Sequence, residues 1–112
     1  MSLEVREDRR EAGLLVSPVG RIDSNTSGEL ERVLLARAAE PRLVVDLSGV
    51  EYVSSAGLRV FLMLARKVKA AGGRLALCSL PASVKQVFDL AGFTTLFTVE
   101  PSVEQALQRV SS

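Results

Sequence analysis

Between Pro41 and the Ser48-Gly49 pair the chain runs Leu43-Val44-Val45-Asp46-Leu47, an apolar, β-branched stretch interrupted only by Asp46. It is too short for a stable helix and too uniformly hydrophobic for a strand with one wet face, so it reads as a central strand buried on both sides. A strand of that kind needs a covering layer above and below it, which restricts the chain to an α/β arrangement with a largely parallel sheet. Asp46 reads as a strand-end residue whose carboxylate bonds the following loop.

The flanking sequence supplies the other layers. Leu3 and Val5 alternate with polar residues and Gly13 precedes LLVSPVG, which predicts two short strands joined by a turn containing Glu11 to Gly13. Pro18 predicts an exposed or irregular end to the second strand. Asp23-Ser24-Asn25-Thr26 offers capping side chains for a helix whose apolar positions, Leu30, Val33, Leu34 and Ala38, run up to Pro41. Ser48 to Ser54 reads as a loop. Leu58, Phe61, Leu62, Ala65 and Val68 then form an amphipathic helical stripe stopped by Gly72-Gly73. Arg74 to Cys78 is a further strand, and Val84, Val87, Phe88 and Ala91 a further helix ending at Gly92. Phe93 to Val99 holds a last short strand. Val103, Ala106, Leu107 and Val110 repeat the helical spacing behind Ser102, a capping serine followed by Glu104 in the first turn. Right-handed crossovers between such elements place helices against the sheet and gather functional groups in the loops beyond the carboxyl ends of the strands. The loops that matter most are therefore the one carrying Asp23 to Ser27 and the one carrying Tyr52 to Gly57.

The 112 residues contain no histidine, which removes His-based general bases, Ser-His-Asp and Cys-His arrangements and the commonest metal ligand. Lys and Arg number 14 against 13 Asp and Glu, a net charge of +1 that gives no pull toward nucleic acid or an anionic membrane. The lone Cys78 cannot form an intramolecular disulfide, and a charged N-terminus lacks the apolar core of a signal peptide. Together these predict one compact domain over residues 1–112, in a reducing cytoplasm, without direct nucleic-acid or membrane binding. Cys78 itself reads as a small buried hydrophobe.

Ser54-Ser55-Ala56-Gly57-Leu58 follows a strand and opens a helix, so Ser55 sits at or beside the N-cap, where unpaired backbone N–H groups and the positive end of the helix dipole would hold a phosphate. Taken alone, either Ser54 or Ser55 could merely cap the helix. Gly57 in the first turn, where glycine costs roughly 1 kcal/mol relative to alanine, indicates close approach by a neighbouring group. A nucleophile elbow would also put serine here, but the flanking residues are Val53 and Ala56 and no histidine can act as base. Gly72-Gly73 lacks the Lys-Ser/Thr of a phosphate loop, so no cofactor is expected.

These residues also carry a family resemblance. VVDLSGVEYVSSAGLRVFLMLARKVKAAGGRLALC, followed by PASVKQVFDLAGF and preceded by GRIDSNTSGEL, resembles the anti-sigma factor antagonists of the STAS family over nearly the whole chain. The resemblance implies a STAS fold, with a central mixed sheet of four to five strands flanked by about four helices, and a non-enzymatic role in bacterial partner switching. It implies an unphosphorylated form that binds an anti-sigma factor, itself an ATP-dependent serine kinase, and so frees a sigma factor. It implies further that phosphorylation of one serine ends the contact and a PP2C-type phosphatase restores it, in a monomer or weak dimer. Aligned through Gly57 and Leu58, Ser55 matches the acceptor hydroxyl, Ser54 stands where family members carry an aspartate, and Ala56 where they carry a second hydroxyl. Asp23, Ser24, Asn25 and Thr26 match the polar loop beside the acceptor. The partner-binding surface implied is that loop with Ser54, Ala56, Gly57, Leu58 and Arg59, and Tyr52 and Val53 are further candidates. Leu58, Tyr52 and Val53 could each equally belong to the core, and for Leu58 the helical stripe favours burial.

Overall fold

Strand β2 (Gly13–Ile22) is the hub of the sheet seen in a computed structural model, which describes residues 3–112. It forms an antiparallel hairpin with β1 (Glu4–Arg10), in which Arg10 faces Gly13 across a turn at Glu11 and Ala12. On its other side it pairs with two strands in succession. Residues Leu14 to Val16 run parallel to β3 (Arg42–Asp46), and Gly20 to Ile22 run parallel to β4 (Val50–Val53). The register shifts between Gly20 and Arg21, and Gly20 has φ +122°, a conformation that favours glycine. The irregular end expected from Pro18 thus lies two residues further on. Pro18 falls between the two parallel pairings, where its missing N–H has no ladder to interrupt.

The remaining order is β3, β5 (Arg74–Cys78), β6 (Val99–Glu100), all parallel, giving six strands with β4 attached to β2 alone. The residues around Val50 to Val53, read from sequence as loop, are a strand. Only Val50 and Val53 of the four are buried, so neither strict alternation nor a continuous apolar run announces it.

Alternation along the central strands sorts the core into two halves. Leu43, Val45 and Leu77 face one side with Leu14 and Val16, where they meet the buried residues of α1 (Ser27–Leu35), α2 (Ser55–Ala70) and α3 (Ala82–Leu90). Leu15, Val44, Ala76 and Cys78 face the other side and meet Ala106, Leu107 and Val110 of α4 (Val103–Ser111). The strand Leu43 to Asp46 is therefore covered on both faces, as its composition requires.

Two further boundaries differ from the sequence reading. Helix α1 ends at Leu35 and continues to Glu40 only as turns, with Arg37, Ala38 and Glu40 amides bonding three residues back. Ala38 stays buried, which kept the apolar spacing alive beyond the helix. Phe93–Thr95 is a 3-10 turn, and only Val99 and Glu100 are extended. Phe93 and Phe97 both turn onto Phe88, with ring centroids 6.1 Å apart in each pair, so aromatic packing curls the segment that apolar content alone read as strand.

Candidate functional site

The loops that follow β2 and β4 lie side by side because those strands are paired to their last residues, Ile22 opposite Val53. The Ser54 amide donates to the Ile22 carbonyl at 2.8 Å and fastens one loop to the other. In the first loop, Asp23 Oδ1 accepts from the amides of Asn25 (2.9 Å) and Thr26 (3.2 Å), while the buried Thr26 hydroxyl donates to the Arg21 carbonyl (2.7 Å) and accepts from the Asp23 amide (2.9 Å). Asp23 and Thr26 thus shape the turn entering α1, and no side chain caps that helix. Ser24 and Asn25 are left exposed at its crest.

In the second loop Ser54 is the N-cap of α2, its Oγ accepting from the Gly57 amide at 3.3 Å. Ser55 is the first helical residue and is exposed. That division assigns the cap to Ser54 and leaves the Ser55 hydroxyl free for chemistry. A Cβ on Gly57 would lie 2.5 Å from Ile22 Cγ2 and 3.1 Å from Val53 Cγ1, so Gly57 is there to let α2 seat on the end of the sheet. Ala56 is half-buried and Arg59 exposed, whereas Val53 and Leu58 belong to the core at 2% and 8% exposure. Gly57, Leu58 and Thr26, expected at a binding surface, are therefore buried beneath the exposed residues of the two loops.

Tyr52 is on the surface, and the Arg21 guanidinium stacks over its ring at 4.5 Å from the centroid. Arg21 Nε also lies 4.0 Å from Asp23 Oδ2. Arg21 was not singled out in the sequence. It faces Tyr52 only because of the register that follows the bulge, which no local pattern announces.

The electrostatics of the α2 start favour an anion. Its first turn contains no acidic side chain, and the leading amides of a helix have no intrahelical acceptor. A phosphate on Ser55 would sit one turn before Arg59, at the i, i+4 spacing that brings side chains together. Elsewhere, Asp46 Oδ1 accepts from the Ser48 amide at 3.0 Å, the strand-end role expected of it. Burial pushes the Cys78 thiol up to about 11, against a hydrogen bond from Ser79 that lowers it, and the charge of Asp46 adds to the rise. Cys78 is thus a packing residue, with little thiolate at neutral pH. Among the described residues no cluster of His, Cys, Asp or Glu could hold a metal ion, and no helix is long and apolar enough to cross a membrane.

Comparison with known proteins agrees with this geometry. The STAS domain family matches residues 2–106. A Bordetella bronchiseptica protein named as a candidate anti-sigma factor antagonist, BtrV, is 36% identical over 106 residues, covering 93% of this chain and 91% of the relative. The anti-sigma-B factor antagonist of Bacillus subtilis is 28% identical over 109 residues, covering 96% of this chain and all of that protein (100%). Among solved structures, an anti-sigma factor antagonist from Mycobacterium paratuberculosis superposes with a TM-score of 0.90 at 26% identity, over 98% of this chain and 95% of the other. The family match over residues 2–106, the 36% identity to the Bordetella protein and a mixed sheet with helices on both faces agree, and the chain belongs to the STAS domain family.

Proposed function

We propose that this chain is an anti-sigma factor antagonist switched by phosphorylation of Ser55. In its unphosphorylated form it binds an anti-sigma factor that is also an ATP-dependent serine kinase, and so frees a sigma factor in the bacterial cytoplasm. The kinase transfers the γ-phosphoryl group of ATP to Ser55 Oγ, and a PP2C-type phosphatase hydrolyses the phosphoserine to restore binding. The observation that carries this reading is the division of labour between the two serines: Ser54 caps α2, and Ser55 stands exposed at the first helical position.

The physical consequences follow from that placement. Phosphorylation adds about −1.5 to −2 charge at pH 7. At the start of α2 the new charge meets unpaired amides and a favourable dipole, so the fold accommodates it. At an interface that had enclosed a neutral hydroxyl, the same group brings desolvation cost and repulsion from acidic partner groups. Ser24 and Asn25 on the neighbouring loop, Tyr52 with Arg21 on the strands that lead into the two loops, and Arg59 one turn along α2 are exposed polar and aromatic surface suited to a protein partner.

The test is incubation of the purified chain and its Ser55→Ala variant with ATP and each anti-sigma-type kinase of the same genome, with mass spectrometry to locate phosphate. Phosphate on Ser55, absent from the variant and accompanied by weaker kinase binding, is the expected result. Stable kinase binding with no phosphate transfer would overturn the switch and leave an unswitched STAS scaffold. Ser54 in the position of the family aspartate is the feature that favours that second reading.

A further inference from the structure

A cleft of about 480 Å³ opens at the other end of α2, between that helix, the start of β5 and the segment that leads into β6. Its size lies in the range of roughly 300–1,000 Å³ typical of small-ligand sites. Leu62, Ala65, Leu75 and Phe97 give it an apolar floor, and Arg66 and Lys69 stand on its wall. Residues 62, 65, 66 and 69 form one stripe of α2, so the wall passes from apolar to cationic over about 10 Å of helix axis. Leu96 also lines the cleft with 63% of its surface exposed, which extends the apolar lining out to the rim.

The charges on the wall are unanswered. Helix α2 carries Arg59, Arg66, Lys67 and Lys69 and no acidic residue, and among the described residues none of these four forms an ion pair. Lys67 and Lys69 in the last turn complement the helix dipole. That account does not include Arg66, the residue just before that last turn, or the exposed Leu96. An extended peptide is a poor occupant, because the amides of Leu77 in β5 and of Ser79 just beyond it already donate to the Thr98 and Glu100 carbonyls, leaving only Leu75 before the pairing with β6 begins.

From this juxtaposition of an apolar floor, a bare leucine and two unpaired cations, we propose that the cleft binds a single-chain alkyl carboxylate. The alkyl chain lies on Leu62, Leu75 and Phe97 under Leu96, and the carboxylate meets Arg66 and Lys69. The α2 residues of the site, 62 to 69, lie about 10 to 21 Å along the helix axis from Ser55, and the site does not depend on the fate of that serine.

The test is isothermal titration calorimetry of the full chain with decanoate below its aggregation concentration, with amide chemical shifts read in parallel. One-to-one saturable binding is expected, with shifts centred on residues 62–69 and 96–98. Arg66→Glu with Lys69→Glu should weaken it at least tenfold, Leu96→Asp at least fivefold, and decan-1-ol should bind at least tenfold more weakly than decanoate. These substitutions are at exposed positions, and an unchanged thermal midpoint confirms that the variants are folded. Absence of saturable binding, equal affinity for decanol, shifts centred on another part of the molecule, or indifference to the charge reversal would each overturn the proposal.

Discussion

Helices α2 and α4 begin in the same way and end up with different capacities. Each has a serine N-cap in extended conformation whose hydroxyl accepts from the amide three residues on, Ser54 from Gly57 at 3.3 Å and Ser102 from Gln105 at 3.2 Å. Helix α4 then completes its own start: Ser102 Oγ donates to Gln105 Oε1 at 3.0 Å, and Glu104 brings a carboxylate to the positive end of the dipole. Helix α2 has Gly57 where α4 has Gln105, Ala56 where α4 has Glu104, and no acid in its first turn. A capping serine therefore says only that a helix begins. What sets α2 apart from α4, and supports the proposed phosphorylation of Ser55, is the charge its first turn omits, together with the exposed hydroxyl at its first position.

The largest effect expected from this contrast is on binding. Phosphoserine or glutamate at position 55 should weaken the complex with the kinase about a hundredfold, about 2.7 kcal/mol, while Glu104→Gln leaves that affinity unchanged. Surface plasmon resonance against the cognate kinase measures both. Next in size is the third helical residue. Gly57→Ala should destabilise the fold by about 1 to 2 kcal/mol in urea titration, since overpacking against Ile22 and Val53 outweighs alanine's helix preference, whereas Gln105→Ala should stay within about 0.5 kcal/mol. Loss of either cap should be alike: Ser54→Ala and Ser102→Ala each cost about 1 kcal/mol, and a large inequality between them would break the comparison at its base. The smallest effect sharpens it. Ser54→Asp should stabilise by about 0.3 to 1 kcal/mol at low salt and lose that gain at 1 M salt, with less benefit from Ser102→Asp, where Glu104 already answers the dipole.

Much of this arrangement was legible in residue order. The buried run at Leu43 to Leu47, the helical stripe from Leu58 to Val68 and the glycine stop at Gly72-Gly73 all depend on local periodicity, and each sits where its pattern placed it. The serine-opened helix beside the Asp23 loop was legible for the same reason. Strand β4 was not, because Val50-Glu51-Tyr52-Val53 acquires its pairing from β2, some thirty residues earlier, across a bulge at Gly20. The Arg21 and Tyr52 stack escaped with it, being a product of that register. Val53 illustrates the converse: its apolar character suited either a contact surface or the core, and the close seating of α2 on Ile22 and Val53 decides for the core, where the helical stripe had already favoured Leu58. Phe93 to Phe97 misled for a related reason, since aromatic residues that favour strands here serve a cluster around Phe88.

The amide of Ser54 on the Ile22 carbonyl, together with the Thr26 hydroxyl on the Arg21 carbonyl, has a consequence for association. Both loops are held to strand β2 before any partner arrives, so docking orders little chain and loses correspondingly little conformational entropy. Under the proposed switch, a phosphate on Ser55 would meet a frame with no slack backbone by which to swing aside, and discrimination between the two forms would rest on one group's charge and size, with no change of shape required.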